Sequence, residues 1–418
     1  LFAKTTLDNG VRVVTERMDS VRSVSIGIWV NAGSRDEPWE RAGISHVLEH
    51  MIFKGTERRS ALDIAKEIDA IGGLSNAFTS KEQTCFHAKV LDSHLDVIVE
   101  LLADIFLNSI FSPQELEKEQ EVVLQEIRLV EDTPDDLVHL LMPGLLWPEN
   151  PLGRSVLGRV DSVAGLDSQV LKSYIRTAYR PESIVIAASG ALEHGRLVEL
   201  INPSLGQLPG LNGRENRFSP QAGPGQLLQE KDLEQVHLCL GMEGVSAVSP
   251  ERFAGALLNV LLGGSMSSVL FQEIREKRGL AYAVYSYLGS HSDAGLLGIY
   301  LGVEPKRSRE ALKVVLEVMA EFSHQGVSAE VLDKAKEHLK GSIFLAAEST
   351  DNRMNRVAKN EFHFGRYIPF DEIARNIDAT TPEDVTGLAA RLLDPSRMAL
   401  VALGPGVEKR FGSGWYRK

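Results

Sequence analysis

A chain of 418 residues exceeds what one hydrophobic core usually organises, so two or three domains are expected. With 43% hydrophobic and 24% charged residues the composition is that of a globular protein and excludes a disordered or fibrous chain. A formal net charge of −12 excludes a general nucleic-acid binder, which needs clustered Lys and Arg, and leaves only a faint bias towards basic peptides. Cys85 and Cys239 stand far apart without CxxC spacing, so they are expected to be buried thiols and not a disulfide framework or a thiolate metal site. The most apolar run, Val97 to Phe106, carries Glu100 and Asp104 and predicts an amphipathic helix, so membrane insertion is not expected. From Leu1 onward there is no signal-peptide pattern, and any leader is expected outside this sequence.

In chain order, Val24, Ile26, Ile28 and Val30 alternate with smaller or polar residues and predict a half-buried strand. Ala42 to Phe53 has no Pro or Gly after Gly43 and predicts a helix. A second helix is expected over Ser60 to Ile71, ended by Gly72-Gly73, with a strand over Gly73 to Ser80, then helices over Asp92 to Asn108 and Pro113 to Glu131. Ser112-Pro113-Gln114-Glu115 has the form of a capping box with proline in the first turn. Pro203 to Gln226 is rich in Pro, Gly and Asn, loses periodicity and predicts a linker. Beyond it the pattern recurs. Val236, Leu238, Leu240 and Met242 alternate, Gly279 to Ser286 matches Gly73 to Ser80 at Gly, Leu, Ala and Ser, and Val327 to Ile343 aligns without gaps on Phe111 to Ile127. Helices are expected at Ser308 to His324 and Ala329 to Ala347. Common order makes duplication the better explanation. The expected fold class is α+β, with two duplicated domains, each a mainly antiparallel sheet covered by helices: 1–205, a linker 206–226, and 227–418.

The chemistry concentrates in His46-Val-Leu-Glu-His50. Residues four apart on a helix share a face, so His46 and His50 can converge on one cation with Glu49 beside them. Two imidazoles and a carboxylate from elsewhere leave zinc an open position for water, the arrangement of a catalytic site, with Glu49 as general base on that zinc-bound water. The remaining histidines lack such spacing and no thiolate pattern exists, so the third ligand is expected among the acids of the helix from Pro113. Glu119 and Glu126, seven apart beside Val122 and Val123, can both turn inward, and spacing does not choose between them.

His46-Val-Leu-Glu-His50-Met-Ile-Phe-Lys-Gly-Thr56, followed later by Glu119 and Val122-Val-Leu-Gln-Glu126, resembles the inverted-zincin (HxxEH) peptidases of the pitrilysin type, in the subgroup of mitochondrial processing peptidase and its bacterial relatives. The resemblance covers nearly the whole chain. It implies a zinc endopeptidase acting on unfolded peptides or extended leader segments, with one Zn2+ per chain held by His46, His50 and Glu126, and with Glu119 supporting the ligands from behind. It further implies that Asn76, Ala77 and Thr79 lie on an edge strand that pairs with substrate backbone and that Phe53 lines a pocket beside the metal.

The second half lacks the metal residues: the counterpart of the HxxEH segment falls in Ala256 to Leu262, and Ser342 stands where Glu126 does. Arg275-Glu-Lys-Arg-Gly-Leu-Ala-Tyr282 is similar to the arginine and tyrosine pair of active members, which implies Tyr282 as donor to the oxyanion and Arg275, or alternatively Arg278, as donor to a substrate carbonyl. Family chains of about twice this length close a clamshell alone, so the resemblance implies a homodimer in which Arg275 and Tyr282 of one chain serve the zinc of the other. Rival readings are a non-catalytic subunit of the same fold and a peptide-binding module; a bacterial cytoplasm is the expected compartment, with periplasm and mitochondrial matrix as alternatives.

Overall fold

The computed structural model describes residues 1–210 and 217–415. The chain divides into two compact units, one formed by 1–128, 154–217 and 346–367, the other by 129–153, 218–345 and 368–418. The predicted linker 206–226 includes residues 211–216, which lie outside the described residues.

The first unit is built on a six-stranded sheet in the order β1-β2-β6-β3-β5-β4, from β1 (Phe2–Thr6), β2 (Arg12–Arg17), β3 (Ser23–Val30), β4 (Leu74–Thr79), β5 (Thr84–Leu91) and β6 (Ile184–Gly190). Adjacent strands are antiparallel except β2 and β6. Val24, Ile26, Ile28 and Val30 of β3 face a core shared with helices α1 (Ile44–Met51) and α3 (Leu95–Asn108). The intervening positions of β3 are buried as well, because Trp29 packs with Met354, Val357 and Ala358 of the helix Thr350–Phe364. β3 is thus covered on both faces, not half-buried, and the second cover comes from late in the chain. Charged side chains pin that helix: Glu361 accepts from Lys4 (2.7 Å) and Arg12 (3.1 Å), and Arg353 pairs with Glu16 (2.7 Å).

The second unit repeats the plan with a five-stranded sheet, β7-β11-β8-β10-β9, from β7 (Gly225–Gln229), β8 (Val236–Glu243), β9 (Ala281–Ser290), β10 (Gly295–Val303) and β11 (Ala399–Leu403), with one parallel pair, β7 and β11. Val236, Leu238, Leu240 and Met242 face its core, and Cys239 on the opposite face packs with Leu137, Val138 and Met142 of α5 (Pro134–Leu146). Each sheet therefore takes one covering helix from the other half of the sequence, so the contiguous division into 1–205 and 227–418 does not describe the compact units. The physical reason is that a sheet with two apolar faces needs two covers.

Local expectations hold closely. α2 (Ala61–Ala70) starts at Ser60, whose hydroxyl accepts from Asp63 N, and α4 runs Pro113–Asp132. The later helices run Ser308–Gln325 and Ala329–Ala346. At α4 the expected capping box takes another form: the Ser112 hydroxyl donates to Gln114 Oε1 (2.8 Å), and Glu115 pairs with Lys118. Both cysteines are free and buried. Among the described residues no helix is long and apolar enough to cross a membrane.

Because Met354 is fully buried between the two layers, Met354→Ala is expected to lower the unfolding free energy by about 2–5 kcal/mol in urea titrations, whereas Leu345→Ala, at an exposed position, changes it by less than about 0.5 kcal/mol.

Candidate metal centre

α1 has only eight residues, and Ile44, Val47, Leu48 and Met51 are buried in the first core at spacings of one helical face. His46, Glu49 and His50 consequently emerge on the other side. α4 supplies the facing carboxylates. Glu126 Oε2 lies 3.4 Å from His46 Nε2, and its Oε1 lies 3.7 Å from His50 Nε2. Glu119 Oε2 takes His50 Nδ1 at 3.1 Å, and its other oxygen binds Lys54 Nζ at 2.6 Å. Of the two acids that spacing left open, Glu126 faces both Nε2 atoms, while Glu119 stands behind His50.

His46, His50 and Glu126 offer three donor atoms all within 4.8 Å of one another. Bonds of about 2.0–2.1 Å in a tetrahedron around zinc separate neighbouring donors by about 3.4 Å, close to the spacings found. The charge states agree with this use. A carboxylate only accepts, so the hydrogen bond to Glu119 favours the His50 tautomer protonated at Nδ1, whose neutral form directs the Nε2 lone pair at the centre. Burial, and secondarily the neighbouring His50 imidazole, pull the His46 pKa down to about 4. His46 is neutral at pH 7, its approach to Glu126 is not an ion pair, and its lone pair is available to a cation.

Glu49 is half-buried, and burial pushes its carboxyl up from the ordinary range against opposing hydrogen bonds from Thr79. Thr79 ends β4, the edge strand of the sheet, on which Asn76 and Ala77 also lie. Asn76 Oδ1 accepts from the Ala77 backbone N–H (2.8 Å). Phe53 is half-buried and packs against the first core, the ordinary packing role for that residue.

In the second unit, Arg275 lies in a single π-helical turn, Phe271–Glu276, with its guanidinium 4.7 Å from the Tyr282 ring centroid and 4.8 Å from that of Phe271. Tyr282, on the edge strand β9, is 78% exposed. Arg278 instead donates to the carbonyl and carboxylate of Glu273. Arg275 is thus the arginine that meets Tyr282. Ser342 gives its hydroxyl to His338 O (3.0 Å), and the expected counterpart of the HxxEH segment, Ala256 to Leu262, lies in the helix Arg252–Leu262, which has no histidine or acidic residue.

Two groups that support the centre were not visible in the sequence. Lys54 is a surface lysine by its context, and Glu37, which bonds the start of α1, matches no spacing of a known cap. A third anchor lies past the end of α1. Asp104 accepts from Thr56 (2.9 Å), Arg59 (2.6 Å) and Asn108 (2.8 Å) and pairs with Arg58 (3.0 Å).

Comparison with known proteins gives the family of the chain. The family described as insulinase (peptidase family M16) matches residues 12–160, and the M16 inactive domain matches residues 165–339. The chain belongs to peptidase family M16. It is 40% identical to a Bacillus subtilis protein named an uncharacterized zinc protease, over 97% of this chain and 98% of that one, and 39% identical to a Streptomyces coelicolor protein of the same description, over 97% and 90%. A Helicobacter pylori protease of known structure shares the fold with a TM-score of 0.90 at 22% identity, over 97% of this chain and 99% of that one.

Burial alone would raise the Asp104 carboxyl, but hydrogen bonds from Asn108, Arg59, Arg58 and Thr56 prevail and bring its pKa from 3.8 down to about 2. A depressed pKa means stability that is present above the unfolded value and lost as pH falls through the folded one, here worth about 2 kcal/mol. Asp104→Asn should therefore be less stable than the wild type at pH 7, and the gap in urea midpoints should close between about pH 4 and pH 2. A gap that stays constant over that window would count against this account of Asp104.

Proposed function

We propose that this chain is a zinc-dependent endopeptidase that cleaves unfolded peptides or extended leader segments. The observation that carries the reading is the convergence of His46 Nε2, His50 Nε2 and the Glu126 carboxylate, with Glu49 on the same helical face. When bound there, one Zn2+ per chain supplies Lewis acidity to the substrate carbonyl and to water.

The rest of the chemistry falls to side chains. Glu49, kept basic enough by burial to accept a proton, takes one from the attacking water and returns it to the departing amine. Glu119 holds His50 in its tautomer, and Lys54 holds Glu119. The edge strand β4 offers backbone groups around Asn76, Ala77 and Thr79 to an extended peptide, which adds as a further strand. A folded protein cannot present such a segment and is a poor substrate. Tyr282 donates to the oxyanion and Arg275 to a substrate carbonyl, and both come from a second copy of the chain, so that a homodimer closes the clamshell.

Glu49→Gln is expected to retain zinc by elemental analysis while hydrolysis of a quenched unstructured peptide falls by about 10²–10⁴-fold. Hydrolysis at the wild-type rate would remove Glu49 from the mechanism. Mixing tests the dimer. Glu49→Gln and Tyr282→Phe chains, each impaired alone, should regain activity when dissociated and reassembled together, because the mixed dimer contains one site with both groups intact. No recovery, or a fully active monomer by light scattering, would rule out sharing between chains.

A further inference from the structure

The segment joining β3 to α1 is bonded at both ends to parts of the centre. At one end it lies on the turn that follows β4. Ser34 N donates to Ser80 O (3.1 Å) and Arg35 N to Lys81 O (2.8 Å), and a Cβ on Gly33 would come within 2.4 Å of Ser80 O, so a side chain has no room there. Side chains lock this contact. Arg35 pairs with Glu82 at 2.7 Å, both buried, and Asp36 accepts from Gly33 N at 3.0 Å. Arg217 bridges Asp36 (2.7 Å) and Glu82 (3.3 Å).

At the other end lies Glu37, only 4% exposed. A helix start leaves backbone N–H groups without partners inside the helix. The residue before α1 is Gly43, at φ +92, which has no side chain with which to cap them, and a Cβ there would meet Gly158 Cα and Leu157 O at 2.8 Å. Glu37 does the capping from a distance: Oε2 accepts from Gly43 N (2.7 Å) and Oε1 from Ser45 N (2.8 Å). Its backbone carbonyl is held in turn by Arg154 Nη1 (2.8 Å).

We propose that Glu37 is a positioning residue for the metal centre: its two carboxylate bonds fix the start of α1, and hence His46 and His50, at a set offset from the end of β4, where Thr79 meets Glu49. The inference rests on the zinc-peptidase reading above and adds the element that holds the metal helix and the substrate strand in one frame. Glu37 acts through the helix and touches neither ligand. Two simultaneous N–H bonds require two acceptors, which a carboxylate has and an amide does not. Burial, the dominant influence, pushes this carboxyl up to about 7, so the fold retains the group in a place that is unfavourable for its charge. Global stability is a poor reason to keep it there.

Glu37→Gln is the near-isosteric test. Expected are a melting temperature for the metal-free chain within a few degrees of wild type, Zn2+ affinity reduced at least tenfold in competition with a chromophoric chelator, and kcat reduced at least tenfold with KM within twofold. At saturating Co2+ the visible absorption bands of the variant should differ from those of the wild type, reporting altered ligand placement. Wild-type Zn2+ affinity and kcat in a folded Glu37→Gln chain overturn the proposal. If that variant does not fold, Arg154→Met, which leaves the carboxylate but frees its backbone, should lower Zn2+ affinity and kcat in the same direction; wild-type values there overturn it equally. A wild-type chain that neither bound Zn2+ nor cleaved peptide would instead defeat the peptidase reading, so the two failures are distinct.

Discussion

Two turns of helix have little rotational freedom once one face is buried, and the first unit depends on this. Ile44, Val47, Leu48 and Met51 of α1 are driven into the core by the loss of apolar surface, at roughly 1.5–3 kcal/mol for each large side chain. That burial leaves no other orientation for His46 and His50 than towards α4. α4 is oriented by the same core, through Leu116, Val123, Leu124 and Ile127, so its acids Glu119 and Glu126 are delivered to the two imidazoles without any flexible segment. The polar bonds at either end, from Glu37 before α1 and to Asp104 after it, refine a placement that hydrophobic packing sets.

Much of this was legible beforehand. The helix carrying the HxxEH residues, the Ser60 start of α2 and the span of α4 follow from local periodicity and breakers, because those signals are written in adjacent residues. Spacing left the choice between Glu119 and Glu126 open, and only the family resemblance favoured Glu126, since both acids occupy one face of α4 and differ in which nitrogen of which histidine they meet. Glu37 was invisible for a related reason. Local capping motifs place the acceptor next to the helix, whereas this one reaches over the intervening residues from an irregular segment. The helices α5 and Thr350–Phe364 have readable apolar faces, but amphipathicity says only that a face is buried and not which sheet covers it.

The two units share a plan and differ in chemistry. Each has a sheet with one parallel pair, and each leaves the corresponding strand, β4 or β9, at the edge. In the first unit that edge ends at Thr79, beside Glu49; in the second it carries Tyr282, stacked under Arg275. The second unit has no imidazole on the helix equivalent to α1; its edge strand presents the Tyr282 hydroxyl instead, with the Arg275 guanidinium laid over that ring from the preceding π-helical turn. The two units thus keep one frame and differ in what that frame displays.

The exchanged helices also constrain how the chain reaches this state. The outer face of the first sheet, with Val14, Trp29 and Val185, has no cover until residues 350 to 364 have been made, although all its strands are complete by Gly190. During synthesis a nearly finished sheet must therefore wait with an apolar face open to water, a state prone to association with other chains. Contacts of such long sequence separation slow the final step. They also tie the two units into one folding event, since neither half of the sequence contains all the layers of the unit it chiefly forms. A cut anywhere between residues 190 and 350 would leave neither piece with both covers of its sheet, the first lacking Thr350–Phe364 and the second lacking α5.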